Sequence, residues 1–266
     1  MYWENLLEEY IAGKRDFSGI DISCSELKNL NLRNINLSNA NLSHTNLTSS
    51  DLYGANLSHA NLHESDLAGC NLRDTNLIGV NLTGAHLGAV DLTNADLTDA
   101  NLMGVLLLCA DLNGTNLNST NLSESNLCGS SFFNVNLQNA LLKDANLRDV
   151  ILKGRINLIN ANVIGAFFEV SASKADLSEA NLSNANLRGS NLSYSNLTKT
   201  DLSSANLEGV NLTGANLTGA NLTGANLIGI DLNRANLTEA NLSNTDIEGI
   251  GLKNAILHNT IIPDWE

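Results

Sequence analysis

Leucine recurs at every fifth position of this chain. In steps of five from Ile22 to Leu152 there are 27 positions, and all but Ile22 and Phe132 are Leu. The period resumes at Leu177 and runs to Ile262, with Leu at 16 of 18 positions. The preceding residue is Asn or Asp at 36 of these 45 positions. Two residues before these leucines stands a small or β-branched residue, such as Ala40, Thr45, Ser50 or Cys70, with Leu30 as an exception. A period of five fits neither a helix at 3.6 nor a plain strand at 2. Internal repetition this regular decides the architecture before any other feature.

Within one unit the two interior-type residues lie two apart, so they share one face of a short extended segment. The remaining residues must turn the chain before the next small residue arrives. Each unit is then one short side and one bend, always in the same sense, and sides that bend alike close into a coil. Coils stack through backbone hydrogen bonds, with Leu and small-residue columns inside. The Asn or Asp points outward, where its side chain bonds the turn backbone.

The motif Ala55-Asn56-Leu57, repeated at Ala215-Asn216-Leu217, resembles that of the pentapeptide-repeat family. The resemblance covers nearly the whole chain and implies an all-β, right-handed quadrilateral β-helix with four units per coil. From Phe17 to Ile262 there are 50 units, hence about 12 coils. At the ~4.8 Å spacing of stacked strands these would span about 60 Å. Such a narrow interior admits one Leu and one small residue per side, which accounts for an aromatic content of only 4%.

Three segments are expected: 1–16 as an N-terminal capping helix and turn, 17–262 as the β-helix, and 263–266 as a tail. In residues 2–12, Trp3, Leu6, Leu7, Tyr10 and Ile11 form one apolar stripe at helical spacing, and Gly13 is a stop. Trp265 is placed to cover the last coil. The frame breaks over 153–176. Leu158 and Val163 come one residue late, and Leu177 restores the frame.

The chain carries 14 basic and 28 acidic residues, a formal charge of −14. This argues against direct binding to nucleic acid, which needs a basic patch. No apolar run reaches the length of a membrane span, and the acidic start does not resemble a signal peptide. The four cysteines lack ligand spacing, as expected for reduced thiols in the cytoplasm. The expected partner is a protein, no membrane is involved, and a monomer is favoured.

No catalytic or cofactor-binding residue emerges. Stacking of successive coils brings His44 near His63 and Glu64, three metal-type donors, but at outward or corner positions with ordinary solvent-facing explanations, so the sequence assigns no metal. Thr198, Thr218 and Thr238 align as in an ice-binding face, but Asn fills the partner column. Two surfaces are candidates for partner binding. One is the acidic column Asp51, Asp91 and Asp111 with Asp74 nearby. The other is the irregular stretch with Lys153, Arg155, Phe168, Glu169 and Lys174. The expected function is a non-enzymatic scaffold or protein-binding module. The alternative, which the resemblance implies, is an acidic rod that mimics DNA and binds a DNA-handling enzyme such as gyrase.

Overall fold

A computed structural model of the chain describes residues 3–153, 156–158, 161–163 and 172–263. The chain divides into two compact units, Met1–Ser131 and Phe132–Glu266. Each is a right-handed quadrilateral β-helix.

In unit 1 the coil repeat is read directly from the backbone. Parallel bridges join positions 20 apart, from Asp16–Asn36 through Asp111–Ser131. Four units of five therefore make one coil, the number implied by the resemblance. Each side is held from both neighbours: Asn36 N donates to Arg15 O on the preceding coil at 2.8 Å, and Leu37 N donates to Asn56 O on the next coil at 2.8 Å. A bond from Ala40 N to Leu37 O at 3.1 Å closes the turn between sides.

The turn explains the unit length. Two residues after each central Leu the backbone is left-handed, as at Asn39 (φ 58°), Ala89 (φ 54°) and His59 (φ 57°). A turn with positive φ at its third residue is type II. An L-residue there costs about 1–2 kcal/mol, offset by the ladder bonds that the turn permits. The Asn or Asp of each unit assists this repeated geometry. Ser38 N donates to Asn36 Oδ1 at 3.1 Å, and Asn36 Nδ2 donates to Asp16 Oδ1 on the preceding coil at 2.9 Å. One side chain thus locks its own turn and ties two coils.

Inside, the central Leu of every unit from Leu42 to Leu127 is essentially fully buried, as are the small residues two before each. Each buried Leu contributes on the order of 1.5–3 kcal/mol before chain ordering is counted. Hydroxyl and thiol groups are accepted in the small-residue columns where they reach a carbonyl; the buried Ser125 hydroxyl is an exception, without a partner among the described residues. Thr45 Oγ1 donates to Leu42 O at 2.6 Å, and Cys70 Sγ donates to Leu47 O at 2.9 Å. Burial pushes the Cys70 thiol up to about 12.

Helix α1 spans Trp3–Ile11. Leu6 and Tyr10, four apart on one face, are buried. Tyr10 Oη donates to Arg33 O at 2.9 Å, which seats the helix on the first coils. Arg15 Nη1 donates to Tyr10 O at 2.8 Å, and its guanidinium lies 4.0 Å from the Tyr10 ring centre. The apolar stripe is narrower than expected. Ile11 is 76% exposed, because one residue beyond Tyr10 the helix has rotated about 100° away. The side chain of Trp3 lies outside the described residues.

Unit 2 repeats the pattern with one change of register. Asn136 bridges Asn157 and Leu141 bridges Asn162, one position beyond the regular step. Asn157 then bridges Asp176 and Asn162 bridges Asn181, one position short of it. One residue is added and the next coil gives it up, so the regular frame returns at Asp176–Asn196. Phe132 fills a Leu position and is fully buried. Among the described residues, two short stretches form continuous strands, β1 (Ser131–Phe133) and β2 (Ile151–Lys153). Near the C-terminus Ile256, Leu257, Ile261 and Ile262 are exposed, while Asp264 and Trp265 lie outside the described residues. Among the described residues no helix is long and apolar enough to cross a membrane.

Candidate interaction surface

Because Leu, Asn and the small residue are committed to the fold, the surface is carried by the two residues that follow each Leu. They stack in columns, each member one coil from the next. One wall of unit 1 has the outward column Asn31, Asp51, Asn71, Asp91, Asp111, joined by successive bridges. The three expected acidic residues are thus brought into one row. Beside them, one residue past each Leu, stand Arg33, Tyr53 and Arg73 in the same coil-to-coil register.

Two of the acids on this wall, Asp51 and Asp91, are paired with arginines. Asp51 Oδ2 accepts from Arg33 Nη1 at 2.9 Å, while its Oδ1 accepts from Tyr53 N at 3.1 Å and Asn71 Nδ2 at 2.9 Å. The Arg33 guanidinium also lies 4.3 Å from the Tyr53 ring centre. Asp91 Oδ2 accepts from Arg73 Nη1 at 3.3 Å, and its Oδ1 accepts from Thr93 Oγ1 at 2.6 Å and Thr93 N at 3.0 Å. Burial pushes the Asp91 carboxyl up, but the Thr93 hydrogen bonds and the Arg73 charge outweigh it and hold the group below its ordinary range. Asp111 accepts from Asn113 N at 3.0 Å and has no ion pair among the described residues. Asp74 occupies a turn position (φ 53°), and its Oδ1 accepts from Asn94 Nδ2 at 3.2 Å. The row is a chain of acid–base pairs around one aromatic ring and not a run of bare carboxylates. The signal for Tyr53 was its place midway between Arg33 and Arg73, visible once the coil period is known.

The second candidate surface is only partly described. Arg155, Phe168 and Glu169 lie outside the described residues, and so does the side chain of Lys153, which ends β2. Lys174 is exposed in unit 2 at a turn position (φ 66°), with its N–H on Ser193 O at 3.0 Å. The Thr column of unit 2 has its hydroxyls engaged. Thr218 Oγ1 donates to Asn216 Oδ1 at 2.7 Å and accepts from Asn236 Nδ2 at 3.0 Å. A further feature absent from the sequence expectations is a group of exposed apolar side chains, Met103, Leu106 and Leu108, with Leu106 standing in the column that Asn usually fills.

On the opposite wall of unit 1, two sides further along the coil, His44, His63 and Glu64 come together, as the stacking of coils suggests. Their ligand-type atoms lie within 4.8 Å of one another.

The family model Pentapeptide repeats (8 copies) matches residues 35–74, 70–107, 110–149, 175–214 and 215–259. The unmatched stretch 150–174 holds the register change. Among solved structures the chain is similar to HetL, a pentapeptide repeat protein involved in heterocyst differentiation regulation, from the cyanobacterium Nostoc sp. strain PCC 7120. The identity is 33% over 100% of this chain and 99% of HetL, with a TM-score of 0.51. The pentapeptide repeat protein Rfr23 of the cyanobacterium Cyanothece 51142 is 26% identical over 53% of this chain and 99% of its own, with a TM-score of 0.32. QnrB1, a plasmid-mediated fluoroquinolone resistance protein, is 16% identical over 93% of this chain and 91% of its own, with a TM-score of 0.25. No curated protein matches the sequence.

Proposed function

Since the chain belongs to the pentapeptide-repeat family, we propose that it acts without catalysis, as a solenoid whose outer walls bind a partner protein. The observation that carries this reading is the Arg33–Tyr53–Arg73 column flanked by Asp51 and Asp91 on one wall of unit 1. Arg and Tyr are among the residue types most often found at the energetic centres of protein interfaces. Here they are set on a hydrogen-bonded ladder, so little conformational freedom is lost on binding. The likeness to HetL, a protein involved in regulating differentiation, supports a regulatory role exerted through binding. Among the described residues the interior is filled with Leu and small side chains, which leaves little room for a buried polar site where a reaction could run.

Mimicry of DNA is less well supported, because Arg33 and Arg73 neutralise two of the three carboxylates in the row. The full chain and an Arg33→Ala/Tyr53→Ala/Arg73→Ala variant, used as baits in an extract of the native cell, test the proposal. It is supported if the full chain retains a protein that the variant, folded by circular dichroism, does not. Identical captures would remove it. Salt-sensitive inhibition of gyrase supercoiling with displacement of DNA would put the mimic in its place.

A further inference from the structure

We propose that His44, His63 and Glu64 form a site for one divalent transition-metal ion of the zinc class, on the outside of unit 1. The three residues come from two successive coils. His44 and Glu64 occupy equivalent turn positions on those coils (φ 56° and 52°), and His63 immediately precedes Glu64. His44 N donates to His63 O at 2.9 Å, so the backbone that carries the donors is fixed by the ladder itself.

The side-chain geometry fits a metal better than it fits hydrogen bonding. His44 Nδ1 lies 3.4 Å from Glu64 Oε2, and His63 Nε2 lies 3.5 Å from Glu64 Oε1. Both distances are long for a nitrogen–oxygen hydrogen bond, whose usual limit is about 3.2 Å. The two contacts use different oxygens of the one carboxylate, each near the about 3.3 Å edge of a tetrahedron around an ion held at about 2.0–2.1 Å; a single ion is held when Glu64 turns one oxygen toward both imidazoles. With one ligand atom taken from each residue, the triangle of donors has no side longer than 4.8 Å. It closes by rotation of half-exposed side chains. The rings already meet edge to face, with centres 5.6 Å apart.

A second observation assigns the nitrogen that would face the metal. His63 Nδ1 is 3.0 Å from Thr83 O. A carbonyl only accepts, so Nδ1 carries a proton, and Nε2, which faces Glu64, is the nitrogen left to take a metal. An imidazole whose far nitrogen is held by a carbonyl is the usual outer support of a metal-bound histidine. Thr83 belongs to the next coil, so three coils build the site. Two imidazole nitrogens and one carboxylate suit a borderline ion such as Zn²⁺. The exposed position leaves at least one coordination place to water or to a donor from another molecule.

The test is titration of the full chain with Zn²⁺ at pH 8, where imidazoles are generally neutral, alongside His44→Gln, His63→Gln and Glu64→Gln. One equivalent is expected to bind the unaltered chain. Each substitution should weaken binding by more than the about 10- to 100-fold that loss of an outer partner costs. His59→Gln, outside the cluster, should leave it unchanged. Co²⁺ used in place of Zn²⁺ reports the donors: a spectrum without a thiolate charge-transfer band is expected. All substitutions lie on the surface, and circular dichroism verifies the fold. Absence of stoichiometric binding overturns the proposal, as does binding that survives His63→Gln and Glu64→Gln. A thiolate band, which would move the metal to an exposed cysteine such as Cys24, overturns it equally.

Discussion

Replacing Leu67 by Ala tests the physical basis of the fold most directly. Leu67 is fully buried, with Leu47 and Leu87 before and behind it in the same column. The substitution removes three carbon groups, about 2.4 kcal/mol of transfer free energy. The cavity then decides the total. In a helical core the surroundings relax inward, but here the walls are the coils themselves. Leu47 N holds Asp66 O at 2.7 Å, and Leu67 N holds His86 O at 2.8 Å. Collapse would break these bonds, so the cavity persists and the cost belongs in the upper half of the roughly 2–5 kcal/mol range, at about 4 kcal/mol. Leu257→Ala is the comparison. Leu257 is 45% exposed, leaves no enclosed cavity, and should cost about 1 kcal/mol. Solenoids need not unfold in a single step, so amide hydrogen exchange at Leu67 and His86 measures the local free energy alongside urea denaturation. Equal costs at the two positions, or a cost at Leu67 below the about 2.4 kcal/mol of transfer alone, would refute the rigid-wall reasoning.

A Cβ on Gly214 (φ 67°) would meet the Tyr194 ring at 2.7 Å, so Gly214→Ala should destabilise by about 1–2 kcal/mol. Tyr194→Ala should relieve the ring contact but not the backbone strain, giving a measurable coupling in a double-mutant cycle. Thiol titration should find Cys24 and Cys109 fast, Cys128 slower, and Cys70 unreactive until unfolding, since burial holds its thiol at about 12. Asp91 should titrate below the ordinary carboxylate value of about 3.9 in a carbon-detected NMR experiment, and Arg73→Ala should move it upward. With a depressed folded-state value, the stability it lends is complete above the ordinary value. That stability is lost as pH falls through the lower one.

The residues that the sequence made legible are those with a single chemical duty. Leu must fill the interior and Asn must bond its turn, so Leu57 and Asn56 repeat nearly unchanged. The turn position was opaque for the opposite reason. Cys24, His44, Ala89 and Tyr194 all adopt the same left-handed backbone, held by ladder bonds from neighbouring coils and not by their own preference. Gly, Asn and Asp, which tolerate positive φ, fill many of the other turn positions, but these exceptions blur the signal. The number of units per coil was likewise invisible in a single unit and entered through the family likeness; the bridges between successive coils establish it. Ile11 misled because the spacing of a helical stripe cannot say how wide a surface waits beneath it. Arginines whose acids sit on the following coil, Arg33 with Asp51 and Arg73 with Asp91, become partners only once that period is known.

This division of labour limits where function can be written. Three of five positions in each unit serve the ladder and the interior, and a change there is paid in stability. The two that follow each Leu meet solvent with few structural duties, apart from the left-handed backbone of the second. Both proposed surfaces fall in those columns: Arg33, Tyr53 and Arg73 directly after their leucines, His63 likewise, and His44 and Glu64 one residue later. A substitution in these columns therefore alters binding while leaving the fold intact. Columns read coil by coil, and not the linear repeat, are the units in which this protein presents chemistry. Exchanging one whole column, such as Arg33, Tyr53 and Arg73, for serines should then abolish one interaction and spare metal binding at His44, His63 and Glu64. If both were lost together, the walls could not be independent surfaces on a common frame.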